Sequence, residues 1–324
     1  MHETDTHTGP AEPQQMRPRM IRLALGLLLG AAVFFAVDRG TDAVLMRGLD
    51  RYFGLDTPGA VLLVGHSHVV LGISKTRLER ALERPVAKYA RAGAQLEDRI
   101  TMVRHYAQAT GSDPQLILFG VDGHLFAPRG LSSNAHRLFY PHMSDPLIDT
   151  YVKGKAQSPS EYLSRRFIHL ARYNDVMLNA ARRGLSSDWS SGVGGRFNAD
   201  KLAQRAALGD FRRIGLDAGQ IALFETFLDE TDAKGWPVVL TFVPTTDAWN
   251  ALEPEKFAQV IARLDSYAAR YPNVQFLDMR EGYDSQHALF TDPVHLNAKG
   301  QRQVTDDLAA ALPDLVPALA PPKE

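Results

Sequence analysis

The stretch Ala60-Val-Leu-Leu-Val64-Gly65-His66-Ser67-His68 decides the reading of this chain. Five apolar residues without a polar break fit a short strand covered on both faces, as in the middle of a parallel sheet. A glycine and a serine directly after it place a hydroxyl at the carboxyl edge of that sheet, where open α/β sheets bind their ligands. Residues Val69 to Ser74 then lead to a helix, whose free amides favour developing negative charge.

Outward from this point, strands alternate with helices. Val86–Tyr89, Leu116–Val121 (LILFGV), Pro237–Val243 (PVVLTFV) and Val274–Leu277 read as further strands. Lys75–Leu82, Gln95–Ala109, Gln220–Lys234, Glu253–Tyr271 and Ala298–Leu312 read as helices. Such alternation predicts an α/β domain over residues 59–312, with a three-layer, flavodoxin-like parallel sheet. The segment from about Pro128 to Gly219 breaks the rhythm and reads as a mostly helical insertion, with one flexible Ser/Gly-rich loop at Ser186–Gly195 (SSDWSSGVGG). Insertions after a strand often cover an active site. Pro-rich residues 313–324 read as an unstructured tail.

The N-terminus has a different texture. Residues 1–19 read as a disordered cytoplasmic tail ending in Arg17 and Arg19. The uncharged run Leu23–Val37 follows Arg22, and with Met20 and Ile21 it gives about 18 residues, enough to cross a bilayer as a helix. The arginines predict that the N-terminus stays inside and the remainder is exported to a periplasmic or other extracytoplasmic position. A cleaved signal peptide is the rival reading, but small residues do not alternate after the apolar run. The expectation is thus a transmembrane signal-anchor over 20–37 and a juxtamembrane connector over 38–58. Val44, Leu45, Leu49, Tyr52 and Phe53 recur in that connector at helical spacing. The formal net charge of −1 gives no electrostatic reason to expect nucleic acid as a partner. Absence of cysteine excludes disulfides and thiolate metal sites, and no cofactor is expected.

A second motif stands before the last helix: Phe290-Thr-Asp292-Pro-Val-His295-Leu-Asn297-Ala-Lys-Gly300. Serine is a poor nucleophile until a base takes its proton, and that base works best when a carboxylate fixes its tautomer. An Asp and a His three residues apart on a loop stiffened by Pro293 can supply both. Ser67, His295 and Asp292 are therefore the candidate catalytic residues.

Together the two motifs resemble the SGNH (GDSL-type) hydrolases, in particular their membrane-anchored branch with the D-alanine transfer and alginate O-acetylation proteins. The resemblance covers about residues 60–126 and 235–312. It implies Ser67 as nucleophile, His295 as general base and Asp292 as its orienting carboxylate. It also implies an oxyanion hole made by the amides of Ser67 and Gly93 and by a side chain after the third strand. There this chain has Asp122 where the family has Asn, and an ionised carboxylate cannot donate a hydrogen bond. His124, two residues on, is the candidate replacement. His66 and His68, in an extended segment, would point away from Ser67 and serve packing or substrate contact; a metal role for them is disfavoured. Glu97 and Asp98 read as a solvated face or as helix-start charges, and Arg99, Arg104 and Arg129 as contacts to an anionic substrate.

The implied function is an esterase or O-acyltransferase acting on acyl esters of a cell-surface or exported glycan. The resemblance further suggests a multi-spanning membrane O-acyltransferase as partner. Asp122 keeps open a binding or assembly subunit with weak chemistry, and a lysophospholipase or thioesterase would share the same triad.

Overall fold

A computed structural model describes residues 16–128, 132 and 134–319. Arg129, residues 1–15 of the expected N-terminal tail and residues 320–324 of the C-terminal one lie outside the described residues. Five strands, β1 (Val61–Gly65), β2 (Val86–Ala90), β3 (Leu116–Val121), β4 (Val238–Phe242) and β5 (Val274–Asp278), form one parallel sheet. Their order is β2-β1-β3-β4-β5, a common doubly wound arrangement whose switch point lies between β1 and β3. Strands β1 and β3 are buried at every residue, which explains why they read as unbroken apolar runs.

Helices cover both faces. Leu62, Val64, Ile117 and Phe119 pack on one side with Ile100 and Val103 of α4 (Leu96–Thr110), Phe224 and Phe227 of α9 (Ala218–Ala233) and Leu264 of α11 (Pro254–Arg270). Val61, Leu63, Leu116 and Leu118 pack on the other with Leu78 of α3 (Lys75–Leu82) and Val304, Leu308 and Leu312 of α12 (Ala298–Leu315). The expected tail therefore begins later than its prolines suggest. Pro313 is carried inside α12, and Leu319 is buried in the same core.

No break in the helix marks the expected boundary between anchor and connector, although exposure changes there, from Val37 to Asp38. Residues Met16–Phe53 form one helix, α1, 38 residues long and therefore roughly 57 Å from end to end. It is long and apolar enough to cross a membrane, and the side chains from Met20 to Val37 are exposed. Beyond them the same helix docks. Leu49 and Phe53 join the core, and Gly48 crosses Gly184 of α7 (Asp175–Leu185). A Cβ on Gly48 would lie 2.3 Å from the Ala181 carbonyl oxygen, so the backbones meet where only glycine fits. Gly54, with φ +78°, ends α1.

The insertion is largely helical, as its sequence suggests: α5 (Pro146–Lys155), α6 (Pro159–Phe167), α7 and α8 (Ala199–Ala207). It does more than cover the sheet edge. Short turns at His169–Arg172 and helix α7 clasp α1, where Asp38 accepts hydrogen bonds from the amides of His169 and Leu170. Asp42 accepts one from the Tyr173 hydroxyl at 2.8 Å.

Candidate active site

Strand β1 ends at Gly65, and the chain turns at once into α2 (Ser67–Gly72), a short helix with Ser67 as its first residue. The turn depends on Gly65, since a Cβ there would lie 2.3 Å from a methyl of Val69. The segment around Ser67 is thus not extended, and the expected orientation of its two histidines changes with it.

His295 arrives from the other end of the chain. Its Nε2 lies 2.7 Å from Ser67 Oγ, and its Nδ1 lies 2.7 Å from Asp292 Oδ2. The partners assign the tautomer: Nδ1–H donates to the carboxylate, which leaves the Nε2 lone pair for the Ser67 hydroxyl proton. Asp292 Oδ1 accepts from the amides of Val294 and His295, both at 2.9 Å. Partial burial pushes the Asp292 carboxyl up, but the hydrogen bond from His295 and those amides hold it below the ordinary carboxylate range. The loop itself is pinned. Thr291 N–H donates to His295 O, and Asn297 caps α12 by accepting from the amides of Lys299 and Gly300.

The Ser/Gly-rich stretch expected to be a flexible loop is instead a strap across this loop. Phe197 N–H donates to Phe290 O at 2.9 Å, Ala298 N–H to Val193 O at 2.8 Å, and Thr291 Oγ1 to Gly194 O at 2.8 Å. Paired backbone groups replace the solvent contacts that its composition suggests. Upstream in the strap, Ser191 Oγ accepts from Gln301 Nε2. Buried Lys88 clamps the end of α2, donating to the carbonyls of Val70 and Ile73.

On the opposite side of Ser67 stands a second imidazole–carboxylate pair. His66 Nε2 lies 2.8 Å from Asp122 Oδ2, and His66 Nδ1 accepts the amide proton of His68 at 3.3 Å while lying 3.4 Å from Ser67 Oγ. Arg99, expected as a contact to an anionic substrate, is fully buried and donates to the same Asp122 oxygen at 3.1 Å and to the Gly120 carbonyl at 3.0 Å. Burial opposes ionisation of Asp122, yet His66 and Arg99 hold its carboxyl well below the usual range. Burial, reinforced by the Arg99 charge, lowers His66 to about 4 against the pull of Asp122, so the ring is neutral near pH 7. Asp122 is therefore an anion fully engaged inside the protein.

His68 is buried against both rings, with centroids 4.2 Å from His66 and 5.5 Å from His295, and its Nδ1 has no partner. His124 is turned to other groups. Its amide donates to Asp122 Oδ1, and its ring Nε2 lies 3.2 Å from the Arg212 carbonyl. That ring proton is committed to a carbonyl rather than offered to the nucleophile, which removes the ground for His124 as a replacement oxyanion donor. Of the two readings of Asp98, the helix-start charge holds and the solvated face does not: it is buried, and its carboxylate accepts from the Gln95 amide at the start of α4 and from the Tyr151 hydroxyl at 2.7 Å. Glu97 is half-buried and pairs with Lys155.

Ser67, Gly93 and His295 border one cavity of about 270 Å³, together with His66, His68, Asp122 and His124. Arg212, Trp249 and Val294 complete its wall; Val294 stands inside the second motif, whereas no motif marks Arg212 and Trp249 in the sequence. A larger cavity of about 370 Å³ lies beside it, between the end of α1, α7 and the loop after β2, but contains no nucleophile–base pair. Among the described residues no group of three or more histidine or acidic side chains is placed to hold a metal ion. Neither a family model nor a curated protein matches this chain.

Proposed function

We propose that this chain is a membrane-anchored, extracytoplasmic serine esterase or O-acyltransferase of the SGNH type, acting on acyl esters of cell-surface or exported polysaccharide. One observation carries the reading: a serine hydroxyl at a sheet's carboxyl edge, 2.7 Å from an imidazole whose other nitrogen is 2.7 Å from a carboxylate. Strand order β2-β1-β3-β4-β5, the serine after β1 and the D-x-x-H before the last helix agree with an SGNH fold.

In this reading Ser67 Oγ attacks the ester carbonyl as His295 Nε2 takes its proton. The amides of Ser67 and Gly93 receive the oxyanion. His295 then returns the proton to the leaving alkoxide, giving an acyl-serine and a free alcohol. Water or a sugar hydroxyl repeats the sequence in reverse, regenerating Ser67 and releasing the acid or the new ester. The small cavity suits a short acyl group, which favours this reading over a lipid-chain hydrolase. Asp122 argues less for a retired enzyme, because its charge is paired with Arg99 and hydrogen-bonded to the neutral His66 ring.

The exposed apolar half of α1, preceded by Arg17, Arg19 and Arg22, supports an N-in, single-pass anchor in the cytoplasmic membrane. A tethered site of this kind suits acyl groups delivered by a multi-spanning membrane O-acyltransferase. The test is hydrolysis of p-nitrophenyl acetate and labelling by a serine-directed phosphonate. Wild type is expected to do both and Ser67→Ala neither; equal labelling of the two would sink the proposal.

A further inference from the structure

Helix α6 buries none of its residues; Tyr162 packs partly against the core, but Leu163 and Phe167 stay exposed. Leu163 and Phe167, one turn apart and so on one face, are 48% and 61% exposed; Ile168 and Leu170 follow at 37% each. Four large apolar groups within eight residues are not scattered surface hydrophobics.

Their position along α1 is fixed by hydrogen bonds. Arg39 Nη2 donates to the Phe167 carbonyl at 3.1 Å, and the amides of His169 and Leu170 donate to Asp38 at 3.0 and 2.8 Å. The exposed apolar stretch of α1 ends at Val37, one residue before this junction. The Arg39 side chain spans it, with its guanidinium carbon 5.8 Å from the Phe35 ring centroid. The patch is therefore level with the point where the anchor leaves the hydrocarbon. Arg165 and Arg166 sit between Leu163 and Phe167 in sequence, the mix of apolar and basic residues that suits an interface of lipid headgroups and acyl chains.

We infer that α6 and the turn after it, Leu163 to Leu170, form a second membrane contact that lies in the outer face of the bilayer into which α1 inserts. The inference rests on the anchor reading of α1. It assigns a new role to the insertion: one wall holds the loop of His295, and the far end rests on lipid.

The chain has no cysteine, so single-cysteine variants of the full-length protein can carry a nitroxide at one chosen site. Leu28→Cys, Leu163→Cys, Phe167→Cys and Ser266→Cys are reconstituted alone into phosphatidylglycerol-containing vesicles. Accessibility to oxygen, which partitions into lipid, is compared with that to a water-soluble nickel chelate. Ser266 is exposed on α11, beside β5 at the sheet edge opposite β2 and α1, and serves as the aqueous reference. Labels at 28, 163 and 167 are expected to favour oxygen over the chelate several-fold relative to the label at 266. An immersed label at 28 with either 163 or 167 as aqueous as 266 overturns the second contact and leaves the anchor standing. An aqueous label at 28 overturns the anchor and this inference with it.

Discussion

His66 lies between Asp122 and Ser67, its Nε2 2.8 Å from the carboxylate and its Nδ1 3.4 Å from the hydroxyl. The serine thus has an imidazole–carboxylate pair on each side. They are not equivalent: His295 holds its lone pair 2.7 Å from Oγ, whereas His66 Nδ1 already accepts the His68 amide. His295 is the ring placed to act as the proposed base, and His66 belongs to the scaffold around it.

Asp292→Asn keeps the shape of the catalytic loop but lets the side-chain amide donate to His295 Nδ1, which favours the wrong tautomer. The kcat for p-nitrophenyl acetate is expected to fall about 10⁴-fold with little change in KM. A loss below tenfold would remove Asp292 from the triad.

Asp122→Asn leaves the buried Arg99 guanidinium without its counter-charge. The cost is expected to be about 3 kcal/mol, read from urea unfolding at pH 7. Because Asp122 ionises more readily in the folded chain, its contribution is complete above the unfolded carboxyl value near 3.8 and fades as pH falls through the lower folded one. The difference between wild type and variant should hold from pH 7 to 5 and shrink only below about pH 4.

His66 titrates in the same sense but in a higher pH window. Its folded value of about 4 lies below the ordinary 6.5, so between these pH values the unfolded chain binds a proton that the folded one refuses. Acidification from pH 7 to 4 should therefore cost up to about 3 kcal/mol through this ring. His66→Gln, which has an amide to donate to Asp122, is expected to flatten that slope in unfolding curves taken across the window.

Gly195→Ala tests the strap. Its φ is +120°, and a Cβ would lie 2.2 Å from Thr291 Oγ1, next to Asp292. A shift of the catalytic loop by about 1 Å is expected to lower kcat up to about a hundredfold. Phosphonate labelling should slow in parallel.

Gly48→Ala tests the crossing of α1 and α7, where the new methyl meets the Ala181 carbonyl. A destabilisation of about 1–3 kcal/mol is expected in urea unfolding, with kcat unchanged in the folded fraction.

What the sequence revealed follows from how local each signal is. The strands were legible because two-sided burial writes itself as runs such as LILFGV, and Ser67, Asp292 and His295 because each occurs beside a strand end or helix start. Arg99 was misread for want of its partner. It occupies the inner face of α4 with Leu96, Ile100 and Val103, and only Asp122, more than twenty positions away, makes a charge tolerable there. The strap was misread from composition: serine and glycine suit a loose loop and equally a backbone that must lie flat against another. The unbroken α1 was divided at Asp38 because charge normally ends an apolar span, and the residues that receive that charge are His169 and Leu170.

On the proposed reading, that helix sets how the protein would meet its substrate. With no joint between the apolar stretch and Phe53, and with Asp38 and Gly48 locked to the insertion, α1 acts as a stalk rather than a leash. In a bilayer it would hold Ser67 at a constant height, moving laterally but not sweeping a volume. A membrane-borne acyl donor would be found by a two-dimensional search, and a polymer would have to be led through that one plane to be modified.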